Sequence, residues 1–186
     1  MNRTVLITGT NRGIGLSLTQ LLLDRGANVH ATARAVEGAT ELNRLAENYP
    51  QQLTLHRLDL ADEQAIYQLA EQLKNTTIDW LLSNAGVYGP PGMHFGAVET
   101  AGWLETLRVN TIAPMHLMQA FVDHVAASKE KKIGILSSKV GSMGDNFSGG
   151  GYVYRSSKAA LNAVIKSASI DLAARGVNVV ALHPGW

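Results

Sequence analysis

Two kinds of apolar spacing alternate along this chain. Short, nearly uninterrupted apolar runs occupy residues 4–8, 28–33, 53–58, 78–82, a stretch from Lys131 or Lys132 to Ser138, and 177–182. Runs of that length without polar alternation predict strands buried on both faces. Between them lie stripes with helical spacing. Leu16, Leu18, Leu21, Leu22 and Leu23 form the first, which stops at Arg25-Gly26. A second helix is expected over 37–48, ahead of Pro50, and a third over 62–74 on Ala65, Ile66, Leu69, Ala70 and Leu73. A long helix over 99–128, bent near Pro114, follows a loop at 87–98 that contains Gly89-Pro90-Pro91-Gly92. The last helix carries Tyr154 and Lys158 and runs on to Arg175-Gly176. Strictly alternating strands and helices predict an α/β fold with a doubly wound parallel sheet, one domain over 1–186.

The first strand runs directly into Gly9-Thr10-Asn11-Arg12-Gly13-Ile14-Gly15, and a helix opens on the last of these glycines. Glycines let a backbone turn tightly and approach a pyrophosphate, and the helix start directs unsatisfied N–H groups at it. The spacing is Gly-x3-Gly-x-Gly, not the commoner Gly-x-Gly-x-x-Gly, and a tight turn without a ligand is the alternative. The residue that ends the second strand separates the two nicotinamide dinucleotides. A carboxylate there accepts from a ribose hydroxyl, whereas an arginine accommodates a 2′-phosphate. That residue is Arg34, and Arg12 adds positive charge in the glycine turn. NADP(H) is therefore favoured over NAD(H), against the alternative of two solvated arginines. Asn84 ends the fourth strand in Ser83-Asn84-Ala85-Gly86, at the end of a parallel strand where ligands bind, although Asn-Ala-Gly is also turn chemistry.

Tyr154 and Lys158 are four residues apart and share one helix face. A nearby ammonium would lower the pKa of a tyrosine hydroxyl toward a useful acid–base range. Ser138, at the end of the fifth strand, could polarise a carbonyl oxygen that Tyr154 protonates. The same spacing also suits an amphipathic side chain beside a solvated one. The loop over 139–151 has five glycines and is long for a connector, which points to function.

Composition narrows the field. The formal charge is +1, from 16 basic and 15 acidic residues without a basic block, so nucleic acid and anionic membrane surfaces find no electrostatic footing. No apolar run approaches the ~20 residues of a membrane span. Cysteine is absent, so disulfides and thiolate chemistry are excluded. The six histidines lack close metal-ligand spacing, and no metal is expected. A cytoplasmic protein is the resulting expectation.

These motifs together resemble the classical short-chain dehydrogenases/reductases over essentially the whole chain, and most closely the C-factor/sniffer-like carbonyl reductases. Thr8-Gly9-x3-Gly13-Ile14-Gly15 resembles that family's cofactor turn, Asp59-Leu60 its adenine-contacting pair, and Ser83-Asn84-Ala85-Gly86 its Asn-Asn-Ala-Gly motif with serine first. Asn110, Ser138, Tyr154 and Lys158 fall where the family has its catalytic Asn, Ser, Tyr and Lys, and Pro184-Gly185 where it has Pro-Gly after the sixth strand. The resemblance implies a Rossmann fold and hydride exchange with a carbonyl or secondary alcohol. It makes Tyr154 the general acid/base and Ser138 the carbonyl-orienting residue. Lys158 then holds the nicotinamide ribose, and Asn110 supports a proton relay. It also implies a homodimer or homotetramer. A non-catalytic dinucleotide-binding signalling protein and an epimerase or dehydratase relative are the alternatives. Family members continue past the position of Trp186 with a substrate segment, a helix and a seventh strand, so a longer native chain is expected, since the apolar run at 177–182 would otherwise form a bare sheet edge.

Overall fold

A computed structural model describes residues 3–185. Six parallel strands, β1 (Thr4–Thr8), β2 (Asn28–Ala33), β3 (Leu53–Arg57), β4 (Trp80–Ser83), β5 (Lys132–Leu136) and β6 (Asn178–Leu182), form one sheet in the order β3-β2-β1-β4-β5-β6. Order reverses between β1 and β4, and a crevice opens there beyond the strand ends. The helices are α1 (Gly13–Asp24), α2 (Thr40–Asn48), α3 (Glu63–Gln72), α4 (Thr100–Leu107), α5 (Ala113–Ala126) and α6 (Tyr152–Asp171).

Period-two alternation along β1 sends its side chains into two cores. Val5 and Ile7 pack with Leu22 and Leu23 of α1 and Leu42 and Leu45 of α2. Leu6 faces the other side, with Ile66 and Leu69 of α3, Leu117 and Phe121 of α5, and Leu161 and Ile165 of α6. Helices thus cover both faces, the doubly wound arrangement expected from the alternation. Local signals end the helices as expected. Gly26, at φ +77°, turns the chain out of α1, and the Asp62 side chain accepts from the Ala65 N–H at the start of α3. No described helix is long and apolar enough to cross a membrane, and no cluster of three metal-ligating side chains occurs among the described residues.

Several boundaries differ from expectation. The second helix starts at Thr40, and α6 gives way to a short 3-10 turn at Ala173–Arg175. The Ile78 N–H is engaged by the His124 carbonyl at the end of α5, so β4 begins only at Trp80. The expected continuous helix over 99–128 is two helices joined by a π-helical turn, Arg108–Ile112. Pro114 has no N–H to offer the Asn110 carbonyl, and the Ala113 N–H bonds instead to the Arg108 carbonyl five residues back. The disruption therefore centres on Asn110, one turn ahead of the proline. β6 forms an edge of the sheet, with Val177 and Val179 buried and Val180 and Leu182 exposed.

His30 on β2 and His56 on β3 meet through Nδ1 and Nε2 at 2.9 Å, their rings stacked 5.2 Å apart. Burial, and then the charge His30 would carry, push His56 down to about 4, and burial also lowers His30. Both values lie below the unfolded value of 6.5. The unfolded chain therefore binds more protons as pH falls, and stability present above pH 6.5 is lost progressively toward pH 4. Replacing His56 with Gln is expected to remove part of this acid sensitivity, on the order of 1 kcal/mol for a partly solvated pair. Urea unfolding of both proteins at neutral and mildly acidic pH checks this; equal acid losses would exclude the pair as the cause.

Candidate active site

The site lies beyond the C-terminal ends of β1, β4 and β5. At the end of β1 the chain turns at Gly9, φ +70°, where a Cβ would lie 2.7 Å from that of Ala85. At Gly15 a Cβ would stand 2.1 Å from the Gly9 carbonyl oxygen and 2.5 Å from Asn84 Nδ2. Only glycine lets the start of α1 lie against the turn this closely. Asn84 locks the same turn, donating from Nδ2 to the carbonyls of Thr8 and Gly9 at 2.9 and 3.0 Å. The buried Thr8 hydroxyl accepts from the N–H groups of Asn84 and Ala85. Both amide donors of Asn84 therefore face the protein, and its first task is to join β4 to the glycine turn.

Asn11, Arg12, Gly13 and Ile14 are exposed around that turn, and no acidic residue occupies the first turn of α1. Its first N–H groups have no acceptor within the helix. Arg12 and Arg34 are exposed, and neither enters an ion pair among the described residues. The Cβ-free cradle, the open helix start and two unpaired cations fit the pyrophosphate and 2′-phosphate of a dinucleotide. On the flank, Asp59 is exposed and accepts from the Ala61 N–H, whereas the Leu60 side chain belongs to the core. Pro184 and Gly185 are exposed just past β6.

The second half of the site gathers around Gly86. A Cβ there would lie 3.2 Å from Asn110 Oδ1 and 3.6 Å from Lys158 Nζ. Asn110 is 1% exposed. Its Oδ1 accepts from the Val87 N–H at 2.8 Å, while Nδ2 donates to the Val87 carbonyl at 2.7 Å and the Ser157 hydroxyl at 3.0 Å. The Thr111 hydroxyl donates to the Ser157 carbonyl, and that of Ser157 to the Tyr154 carbonyl. Thr111 and the clamping role of Ser157 were not legible beforehand, because their partners lie more than 40 residues away and follow no spacing rule.

Lys158 is buried, and Nζ donates to the Leu136 carbonyl at 2.9 Å. Burial pushes its pKa down to about 8. The ammonium lies 5.8 Å from the centre of the Tyr154 ring. Tyr154 departs from expectation: its hydroxyl is held above, not below, the usual phenol value. Burial is the main cause and the neighbouring Tyr88 phenol the next, with Ser138 opposing both through a hydrogen bond. Lys158 does not offset them. Ser138 closes that strand in extended conformation, where its Oγ also accepts from the Val140 N–H. Gly141 brings the following loop onto α6, where a Cβ would lie 2.8 Å from the Lys158 carbonyl carbon. Arg155 ties the rest of the loop down through the Val140 carbonyl and the Ser148 hydroxyl. Ser138, Tyr154, Lys158 and Asn110 thus come together, next to the glycine turn.

Comparison with known proteins gives a consistent picture. The short chain dehydrogenase family profile matches residues 3–186. An uncharacterized oxidoreductase of Schizosaccharomyces pombe is 34% identical over 187 residues, covering 99% of this chain and 73% of its own. The solved carbonyl reductase Sniffer of D. melanogaster superposes with a TM-score of 0.92 at 35% identity, covering 100% of this chain and 82% of that one. A short-chain dehydrogenase/reductase structure from Burkholderia multivorans with bound NADP gives 0.91 at 35% identity, over 100% and 80% of the two chains.

The Asn110 clamp generates a direct test. Asn110→Ala leaves the Val87 N–H and carbonyl and the Ser157 hydroxyl without their buried partner, at an expected cost of roughly 2–4 kcal/mol. Denaturant unfolding measures it; a loss below about 1 kcal/mol would show that the clamp does not hold the two segments together.

Proposed function

The chain belongs to the short-chain dehydrogenase family, and from that premise we propose that it is an NADP(H)-dependent carbonyl reductase with Tyr154 as its general acid/base. The observation that carries this reading is the convergence of Ser138, Tyr154 and Lys158 beside Gly86, at the strand ends where the dinucleotide cradle lies. A bound nicotinamide supplies or accepts the hydride. The protein's own part is a proton and an electrostatic frame.

In the reducing direction, the Tyr154 hydroxyl gives its proton to the substrate oxygen. Its raised pKa keeps it in the proton-donating form at neutral pH. The Ser138 hydroxyl donates to the same oxygen and fixes its position. Lys158 has three N–H donors, of which one is held by Leu136, leaving two for the phenolate formed at Tyr154 and for the nicotinamide ribose. With both amide donors of Asn110 engaged, its role is to position Val87 and α6, and a proton relay through its side chain has only Oδ1 to use. The cofactor contacts are Gly9, Asn11, Arg12, Gly13, Ile14, Gly15, Arg34, Asp59, Leu60, Asn84, Ala85, Gly86, Pro184 and Gly185, together with Tyr154 and Lys158. Preference for NADP(H) rests on Arg12 and Arg34, whose charge no carboxylate neutralises among the described residues. The partly exposed Trp103, Leu104, Ile112 and Met115 of α4, the π turn and α5 suit a homo-oligomeric contact, through which two copies would bury them.

Tyr154→Phe tests the assignment. Carbonyl reduction is expected to fall by at least about a hundredfold while NADPH binding, followed by calorimetry, stays within about twofold. Undiminished turnover would remove Tyr154 from the chemistry. NADPH binding by the unaltered protein without turnover of any carbonyl would favour a signalling role.

A further inference from the structure

The end of β5 is fastened to α6 at three successive residues. Tyr154, Lys158 and Asn162 recur every fourth residue on α6 and so form one stripe along it. Opposite them, Ser138 hydrogen-bonds to Tyr154, the Leu136 carbonyl accepts from Lys158, and the Ser137 hydroxyl donates to Asn162 Oδ1 at 2.6 Å. The first two contacts belong to the proposed proton-transfer site. The third joins two residues that take no part in that chemistry. Ser137 is nevertheless only 7% exposed, and its backbone N–H is already bonded to the Leu182 carbonyl of β6.

Ile133 and Ile135 point from β5 into the core that holds Leu161 and Ile165 of α6, and by period-two alternation Ser137 is next in that row. Apolar packing is non-directional, whereas a hydrogen bond from hydroxyl to amide demands distance and angle together. Lys158 reaches Leu136 through a flexible four-carbon stem, so it follows the strand without setting its place. Asn162 has a short side chain and touches the chain on both sides of Ser138. Before it lies Ser137, and after it Gly141, where a Cβ would stand 3.0 Å from Asn162 Nδ2. We propose that Ser137 and Asn162 are positioning residues of the site, whose mutual hydrogen bond holds the end of β5 against α6 so that Ser138 meets the Tyr154 hydroxyl. The consequence for catalysis rests on the reductase reading, whereas the contact itself does not require turnover.

The full chain labelled with carbon-13 at tyrosine Cζ reads that contact by NMR at neutral pH. The Tyr154 signal, identified by its loss in Tyr154→Phe, reports hydrogen bonding at the hydroxyl, and Ser138→Ala gives the shift for complete loss of the contact. Ser137→Ala removes only a hydroxyl and leaves the half-buried Asn162 able to take a water instead. It is expected to move the signal in the same direction as Ser138→Ala, and Asn162→Ala to do the same. In aldehyde reduction each single variant lowers kcat about tenfold, the double variant lowers it no further, and KM for NADPH stays within about twofold. A Tyr154 signal unmoved by Ser137→Ala and Asn162→Ala would overturn the proposal. One unmoved by Ser138→Ala would overturn it as well, because there would be no contact to hold. A shifted signal with kcat unchanged would leave the bond a structural one and end its positioning role. If the unaltered protein turns over no aldehyde but the signal shifts as expected, the reductase reading falls and the positioning of Ser138 stands.

Discussion

A single buried amide holds the working half of this molecule together. Asn110 sits in a π turn between α4 and α5, and its side chain joins the segment after β4 to the helix carrying Tyr154 and Lys158. Those segments lie far apart in the chain, and neither contains enough local structure to fix the other. Buried amides are costly unless every donor finds an acceptor, and here both do. The constraint explains the π turn itself. An uninterrupted α-helix would need an N–H that Pro114 lacks, and the wider turn accommodates Asn110 at the contact between the two segments.

The other half depends on closeness in place of hydrogen bonding through side chains alone. Gly9 and Gly15 leave no room for a Cβ where β1 and α1 converge with the segment after β4, and at Gly86 a Cβ would fit only tightly. Asn84 then joins β4 to the carbonyls of the β1 turn, so the open start of α1 and the segment after β4 share one frame. The sheet order brings this about, because β1 and β4 are neighbours at the point where the winding reverses. A glycine turn from the first 15 residues and a Tyr/Lys pair near the end of the chain thereby lie at one end of the sheet.

Much of this was legible in the residues. Uninterrupted apolar runs separated by helical stripes specified the strands and both layers of helices, since burial on two faces leaves a pattern that survives without coordinates. The glycine turn, Arg34 and the Tyr154/Lys158 spacing were visible because local geometry links them. What escaped depends on long-range placement. Asn84 was read as a ligand contact or a turn residue, and its Nδ2 donors also tie β4 to the glycine turn. Lys158 was expected to acidify Tyr154, but burial dominates at the phenol. The π turn was read as a proline bend one turn too late. Ser157 and Thr111 acquire roles only once α6 packs against the π turn.

The reaction proposed for this arrangement is proton-coupled hydride exchange at a carbonyl. Single-turnover mixing of the protein with NADPH and an aldehyde, followed by the reduced-nicotinamide absorbance, tests it most directly. Stoichiometric loss of that absorbance together with formation of the alcohol is expected. Persistent absorbance with NADPH bound and the aldehyde unchanged, across a panel of aldehydes and ketones, would contradict it.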